Sequence, residues 1–454
     1  MATDRGTIAL NRFGLGPRPG DVRRIAADPR GAVLAELAPR VALIDNAALP
    51  TTEATLASYR EMRAAKQAAE TAGTTADASQ MANAGIVTPA RYYRSELAVR
   101  LRAAARADIG YVERLVSFWT NHFAVEAGAK AQIRGMVGAL EREAIRPHVL
   151  GRFSDMLLAV TRHAAMLAYL DNAESVGPNS RAGVRRDRGL NENHARELME
   201  LHTIGVDGGY TQADVTALAK VLTGWSSSRG EADNAPIGQF EFRPAAHEPG
   251  PQTIMGTVYD QPGERQGLAV LANLARHPAT AEHIAAKLAR AFVADDPPAA
   301  LVSDLAATFR ASGGDLAALA RRLVESEGAW QGPGKFKTPQ QFVLSSARAL
   351  GIALTPSFAL QVLRALGQTP WDPPSPAGFD DTSATWLAPD AMTTRLDAAE
   401  QMATLADPGI DPPALLADIT GSGASPRTVE AVARAESRVQ GLALLLMSPE
   451  FQRS

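Results

Sequence analysis

The stretch YVERLVSFWTNHF, residues 111–123, decides the class of the fold. At about 100° per residue, Leu115, Phe118, Trp119 and His122 fall on one face of a helix, so an imidazole is carried on an apolar stripe, either buried or lining a cleft. The neighbouring SELAVRLRAAARA, residues 95–107, has the same helical spacing. Further on, Phe153, Met156, Val160, His163, Leu167 and Leu170 form a single stripe that reads as one helix. Alternating strand patterns are few, and the expected fold is mainly α.

Three stretches interrupt the helices. AAKQAAETAGTTADASQMANAGIVTPA, residues 64–90, lacks a strong apolar face, and a flexible loop is expected over about 70–90. Residues 226–260 mix Gly and Pro with short aromatic alternation, with room for one small β-hairpin near 238–258. In QTPWDPPSPAGFDDTSATW, residues 368–386, four prolines forbid regular structure. The expected architecture is one large helical body over residues 1–454, with long irregular loops laid on one face and room for a sub-boundary near 265.

Composition removes several function classes. A chain of 454 residues that is 46% apolar buries a large core. Lys and Arg number 46 against 49 Asp and Glu, a formal charge of -3, so there is no cationic surplus for nucleic acid or an anionic membrane. The absence of cysteine removes disulfides, thiolate metal sites and cysteine nucleophiles. No apolar run has the length of a signal peptide core or a membrane span, which makes the cytoplasm the default expectation.

The segment NENHARELMELHT, residues 191–203, is the richest in chemistry. On a helix running through His202, Asn193, Glu197 and Glu200 share a stripe with Arg196 at its edge, and His202 points elsewhere. A straight helix therefore cannot chelate one ion with Glu197, Glu200 and His202. Two readings of the carboxylates stand side by side. Glu192, Arg196 and Glu200 have the i, i+4, i+8 spacing of a solvated ion-pair ladder; alternatively Glu197 and Glu200 are an acid/base pair on a central, mostly buried helix. His202, on a face with Ala195, Leu198 and Met199, reads more readily as a core histidine. After it, Thr211 and Asp214 form a variant capping box for a helix from Gln212 to about Leu222. His247 lies on a Pro/Gly-rich loop, where positioned polar residues often serve a site.

The ordered fragments NRFGLGPRPGD, FWTNHFAV, IRPHVLGRFSDMLLAVTRHAAMLAYLDN, NENHARELMELHTIGVDGGYTQADVTALAKVLTGW, HPATAEHIAAKLARAFVADDPP and LLLMSPEFQ resemble the bacterial family called domain of unknown function 1800, over almost the whole chain. Carried over residue by residue, the resemblance implies a site drawn from Asn121, His122, His163, Asp171, Asn172, Asn191, Asn193, Arg196, Glu197, Glu200, His202, Thr223, Gly224, Trp225 and His247. His194 stands where relatives commonly have an aromatic residue. Beyond His247 the run Glu248, Gly250, Gln252 departs from the acidic and lysine positions of relatives, which weakens a lysine contact to a phosphate there. Many relatives carry export signals and lie beside genes for the domain of unknown function 1501 family, which resembles the alkaline phosphatase superfamily. The resemblance thus implies such a protein as partner, and co-export to the periplasm as the alternative location.

The expected function is a hydrolase or lyase acting on a sugar, ester or peptide-type substrate. Glu197, Glu200, Arg196 and His202 are the expected catalytic groups, and Asn191, Asn193, His122, His163, Asp171, Trp225 and His247 the expected substrate-binding groups. One alternative brings histidines from several helices onto a divalent metal that activates water. The other is a non-catalytic partner of an alkaline-phosphatase-like protein.

Overall fold

At helix Tyr111–His122 the apolar spacing becomes burial: Tyr111, Val112, Leu115, Val116, Phe118, Trp119 and His122 are all inside. Its start is held by a buried carboxylate. Glu36 accepts the N–H groups of Ile109, Gly110 and Tyr111 at 2.6, 3.0 and 2.6 Å, an internal anion set on the positive end of the helix. Gly110 is required there, because its φ is +96° and a Cβ would stand 2.6 Å from the Leu15 side chain.

The computed structural model describes residues 5–44, 49–75, 77–185, 189–230 and 235–454. It is mainly helical, with two small antiparallel hairpins among the described residues. Trp225–Ser227 pairs with Phe240–Phe242, and Gln252–Ile254 with Thr257–Tyr259. The single expected hairpin is thus two, since the first draws its partner strand from directly behind helix Gln212–Leu222. That helix opens with the expected capping box: Thr211 Oγ1 accepts the Asp214 N–H, and Asp214 Oδ2 accepts the Thr211 N–H at 2.7 Å. Asp214 Oδ1 also accepts the Met255 N–H at 2.6 Å, which fastens the second hairpin to the helix.

Three expectations are corrected. The stripe from Phe153 to Leu170 is two helices, Phe153–Arg162 and Ala164–Tyr169, because the His163 side chain turns back to cap the second. The loop expected over about 70–90 is interrupted by a short helix, Ala78–Asn83, set by a capping box between Asp77 and Gln80, and begins at the end of helix Thr52–Thr71. The helix at 193 is not straight, since Asn193–Glu197 passes into a π-helical turn at Leu198–His202, sealed by Thr203 Oγ1 donating to Leu198 O at 2.7 Å.

Two apolar clusters organise the interior. The larger takes residues from Ala9 to Trp330, on both sides of 265, together with Ala359 and Trp371. The smaller runs from Phe342 to Phe451. Buried arginines tie distant segments together: Arg395 donates to Lys337 O and to the side-chain oxygen Gln452 Oε1, each at 2.9 Å, and Arg348 to Gly16 O at 2.8 Å and Asp108 O at 2.6 Å. Arginine suits this use because its five donors reach several chain ends at once. Among the described residues, no helix is long and apolar enough to cross a membrane.

Removing Asp214 takes away half of a capping box and the anchor of a hairpin. Asp214→Ala is expected to lower unfolding stability by about 1–2 kcal/mol in urea titration, and Asp214→Asn by less, because an amide still accepts.

Candidate functional site

The polar face of residues 191–203 forms the ladder. Arg196 lies 3.3 Å from both Glu192 and Glu200, and Gln212 joins Arg196 and Glu192 at 2.8 Å each. Such partly exposed pairs contribute on the order of 1 kcal/mol or less. Glu197 stands off the ladder and is half-buried; burial and then the charge of Glu200 push its carboxyl above the usual range, against Arg196. Only the opposite face of the helix is inside, with His194, Ala195, Leu198, Met199 and His202. The expected mostly buried helix is therefore buried on one side. Asn193 is exposed, and Asn191 Oδ1 accepts its N–H at 2.9 Å.

Several motif residues are committed to structure. His163 Nδ1 accepts the Ala165 N–H at 3.2 Å, so its proton sits on Nε2, 3.0 Å from Thr52 Oγ1 and 3.3 Å from Glu143 Oε2. That nitrogen donates and is not a base. Asp171 pairs with Lys130 in a left-handed turn at φ +56°. Asn172 Nδ2 spans Leu222 O and Trp225 O at 3.2 and 2.9 Å. Trp225 is wholly buried under Arg162, 5.3 Å from its ring, and against Phe240. His247 Nδ1 donates to Thr223 O at 3.0 Å, and a Cβ on Gly224 would meet Arg243 O at 2.6 Å. These residues form one knot joining the first hairpin to helix Gln212–Leu222.

Asn121 and His122 lead elsewhere, onto a cavity of about 110 Å³ whose polar wall includes Arg100, Arg114, Asn121, His122, Lys287 and Asp381. Glu197 and Glu200 are not part of that wall. Its floor is Glu141, which accepts Arg146 Nε at 2.9 Å and Trp371 Nε1 at 2.9 Å and pairs with Arg100 at 3.3 Å. Burial pushes this carboxyl up, but Arg100, Arg146 and the bond from Trp371 outweigh it and hold the group below the usual range. Arg146 makes a second, bidentate pair with Glu113 at 2.8 Å.

The proline-rich segment beginning at Pro370 covers the cavity, held by donors from outside it. Ala127 N–H donates to Trp371 O at 2.8 Å and Gly128 N–H to Asp372 Oδ1 at 2.6 Å. The Asn121 amide pairs with the Phe379 backbone as another peptide would, Nδ2 to O at 3.0 Å and Oδ1 from N–H at 2.8 Å. Gly378 permits that approach, since a Cβ would lie 2.5 Å from Asn121 O.

Two cations on the wall lack the usual partners. Arg114 gives Nη1 to Asn11 O and Gly14 O, stacks over Phe292, and forms no ion pair within 4.0 Å among the described residues; burial lowers it to about 10. Lys287, on helix Pro278–Phe292, makes no hydrogen bond or ion pair among the described residues. Burial lowers its amine to about 8, while the charge of Asp381 works the other way.

Neutral imidazoles stand beside Lys287. His122 Nε2 donates to His202 O at 3.1 Å, so Nδ1 carries the lone pair, buried with no partner. Burial and then the charge of Lys287 push His122 well below its ordinary value, and lower His283 to about 4. The His122 ring lies 6.1 and 6.2 Å from those of His202 and His283. His202 is lowered as well, first by burial, and its Nε2 has no hydrogen-bond partner among the described residues. Among the described residues, no three His, Asp or Glu side chains are placed to share a metal ion, so the metal-assisted alternative finds no ligand set there.

Sequence reasoning missed Arg114, Lys287 and Asp381. One signal was present: only six of the 46 cationic residues are lysine (66, 130, 220, 287, 335 and 337), and Lys287 sits four residues after His283 on one helical face.

The family model described as Protein of unknown function (DUF1800) matches residues 8–453. No curated protein and no solved structure matches the chain.

Two stability outcomes follow from the cavity. Lys287 titrates near 8 in the fold against 10.5 when free, so its burial penalty is fully present below pH 8 and disappears as pH rises toward 10.5. Lys287→Met is expected to raise unfolding stability at pH 7 by about 1–3 kcal/mol, with the gain shrinking above pH 8; urea titrations across pH read both. Glu141→Gln is expected to cost about 3–5 kcal/mol, because it leaves Arg146 and Arg100 short of a buried counter-charge. The Glu141 contribution is present above the free carboxyl value and is lost as pH falls through its lowered folded value, which acid unfolding of wild type and variant measures.

Proposed function

The chain belongs to the DUF1800 family, and from its cavity we propose that it is a hydrolase or lyase acting on a small anionic substrate held between Arg114 and Lys287. The observation that carries this reading is the Lys287 amine on the cavity wall, which makes no hydrogen bond or ion pair among the described residues, beside neutral imidazoles and an Arg114 that forms no ion pair within 4.0 Å among those residues. Such an arrangement costs stability, and stability is characteristically given up where chemistry is done. Arg114 supplies a permanent cation for a carboxylate or phosphate. Lys287 exchanges a proton near neutrality, and Asp381 favours the protonated amine.

A second reading rests on Glu197. Its raised carboxyl beside the Arg196-bound Glu200 supports an acid/base pair that works on a polymeric sugar from the surface.

A panel of small carboxylic and phosphoric esters, oxo acids and oligosaccharides separates the two. The cavity reading expects turnover of a small anion to fall by about 100-fold or more in Lys287→Met and Arg114→Met and to survive Glu197→Gln. Loss in Glu197→Gln alone, with an oligosaccharide, supports the second reading and overturns the first.

A further inference from the structure

Resting on the cavity as the active site, we propose that Lys287 is a covalent amine that forms an imine with the carbonyl carbon of a small 2-oxo acid, whose carboxylate is bound by Arg114. The two cations differ in kind. A guanidinium stays charged and matches a carboxylate in its fork, whereas an amine relieved of its proton is a nucleophile. Lys287 is partly buried on the cavity wall and makes no hydrogen bond or ion pair among the described residues that would occupy its lone pair. Lowering to about 8 leaves a useful fraction of free amine near neutrality. A cavity of about 110 Å³ admits a ligand of only a few heavy atoms, which fits a three- or four-carbon acid.

The chemistry balances. The Nζ lone pair attacks the carbonyl carbon, the C–N bond forms as the C=O π bond opens, and the oxygen takes a proton. That proton comes from the nitrogen, and a second proton from solvent lets the hydroxyl leave as water. Free amine, carbonyl and one proton thereby become a protonated imine and water, with one proton kept on the nitrogen. The nearby Asp381 charge stabilises the protonated imine, which draws electrons from an adjacent breaking bond. Within the proposed function this selects a lyase over a hydrolase.

The test uses the full chain, pyruvate and sodium cyanoborohydride near pH 7.5, read by intact mass and peptide mapping. The expected result is one reduced adduct, located on Lys287 and absent from Lys287→Met, with trapping slowed by about tenfold or more in Arg114→Met while trapping of neutral acetone is little changed. The small lysine count makes the map decisive. Adducts spread over Lys66, Lys130 and Lys220 with no preference for Lys287 overturn the imine. If pyruvate then still raises the melting temperature of wild type and not of Arg114→Met, the anionic cavity stands and only the covalent step falls. If pyruvate produces neither adduct nor thermal shift, the imine and its 2-oxo acid fall together, and the ester and oligosaccharide panel then decides the cavity reading by itself.

Discussion

Glu141 is the residue on which the interior depends. A single carboxylate on a π-helical turn takes Arg146, Arg100 and the Trp371 indole, and so joins helix Tyr111–His122, helix Pro89–Arg106 and the proline-rich cover at one point. Three charged groups share low-dielectric space because each is paired. Breaking one partnership exposes the remaining charges to the full cost of desolvation. Glu141 lines the cavity, and the cover across it has no donors of its own at its prolines. Its position is set by Ala127, Gly128 and Asn121 reaching across.

Against that well-paired floor the opposite wall is under-paired. Among the described residues, Arg114 is satisfied by carbonyls, Lys287 makes no hydrogen bond or ion pair, and His122 Nδ1 and His202 Nε2 have no hydrogen-bond partner. Inside a protein such groups weaken the fold, and the meeting of Arg114, His122 and Lys287 at one cavity carries the functional reading. The ladder of Glu192, Arg196 and Glu200 is the reverse case, many partners at a solvated face and little stability at stake.

What was legible in the sequence followed short-range rules. Apolar spacing identified the helix at residues 111–123, the i, i+4 spacing identified the ladder, and Thr211 with Asp214 marked a helix start that the structure bears out. Where local rules failed, a side chain or a distant segment intervened. The stripe from Phe153 to Leu170 keeps its period across His163, so periodicity could not reveal the cap that divides it. The π turn at Leu198–His202 has no signature of its own in residue spacing. The wall of the cavity joins residues 100, 114, 122, 287 and 381, and pattern along one chain carries no information on which distant helices meet. The scarcity of lysine was the one composition-level clue to Lys287.

The central claim is that Lys287 is held as a partly buried amine with no ion-pair partner among the described residues, on the wall of a working cavity. Nuclear magnetic resonance of protein labelled at the lysine side chains tests it most directly, because six signals are few enough to assign by single substitutions. The account predicts that one lysine, lost in Lys287→Met, titrates with a midpoint of about 8, and that this midpoint moves when Asp381 is replaced by Asn. A Lys287 signal that titrates in the ordinary lysine range, about 10.4, and ignores Asp381 would contradict it.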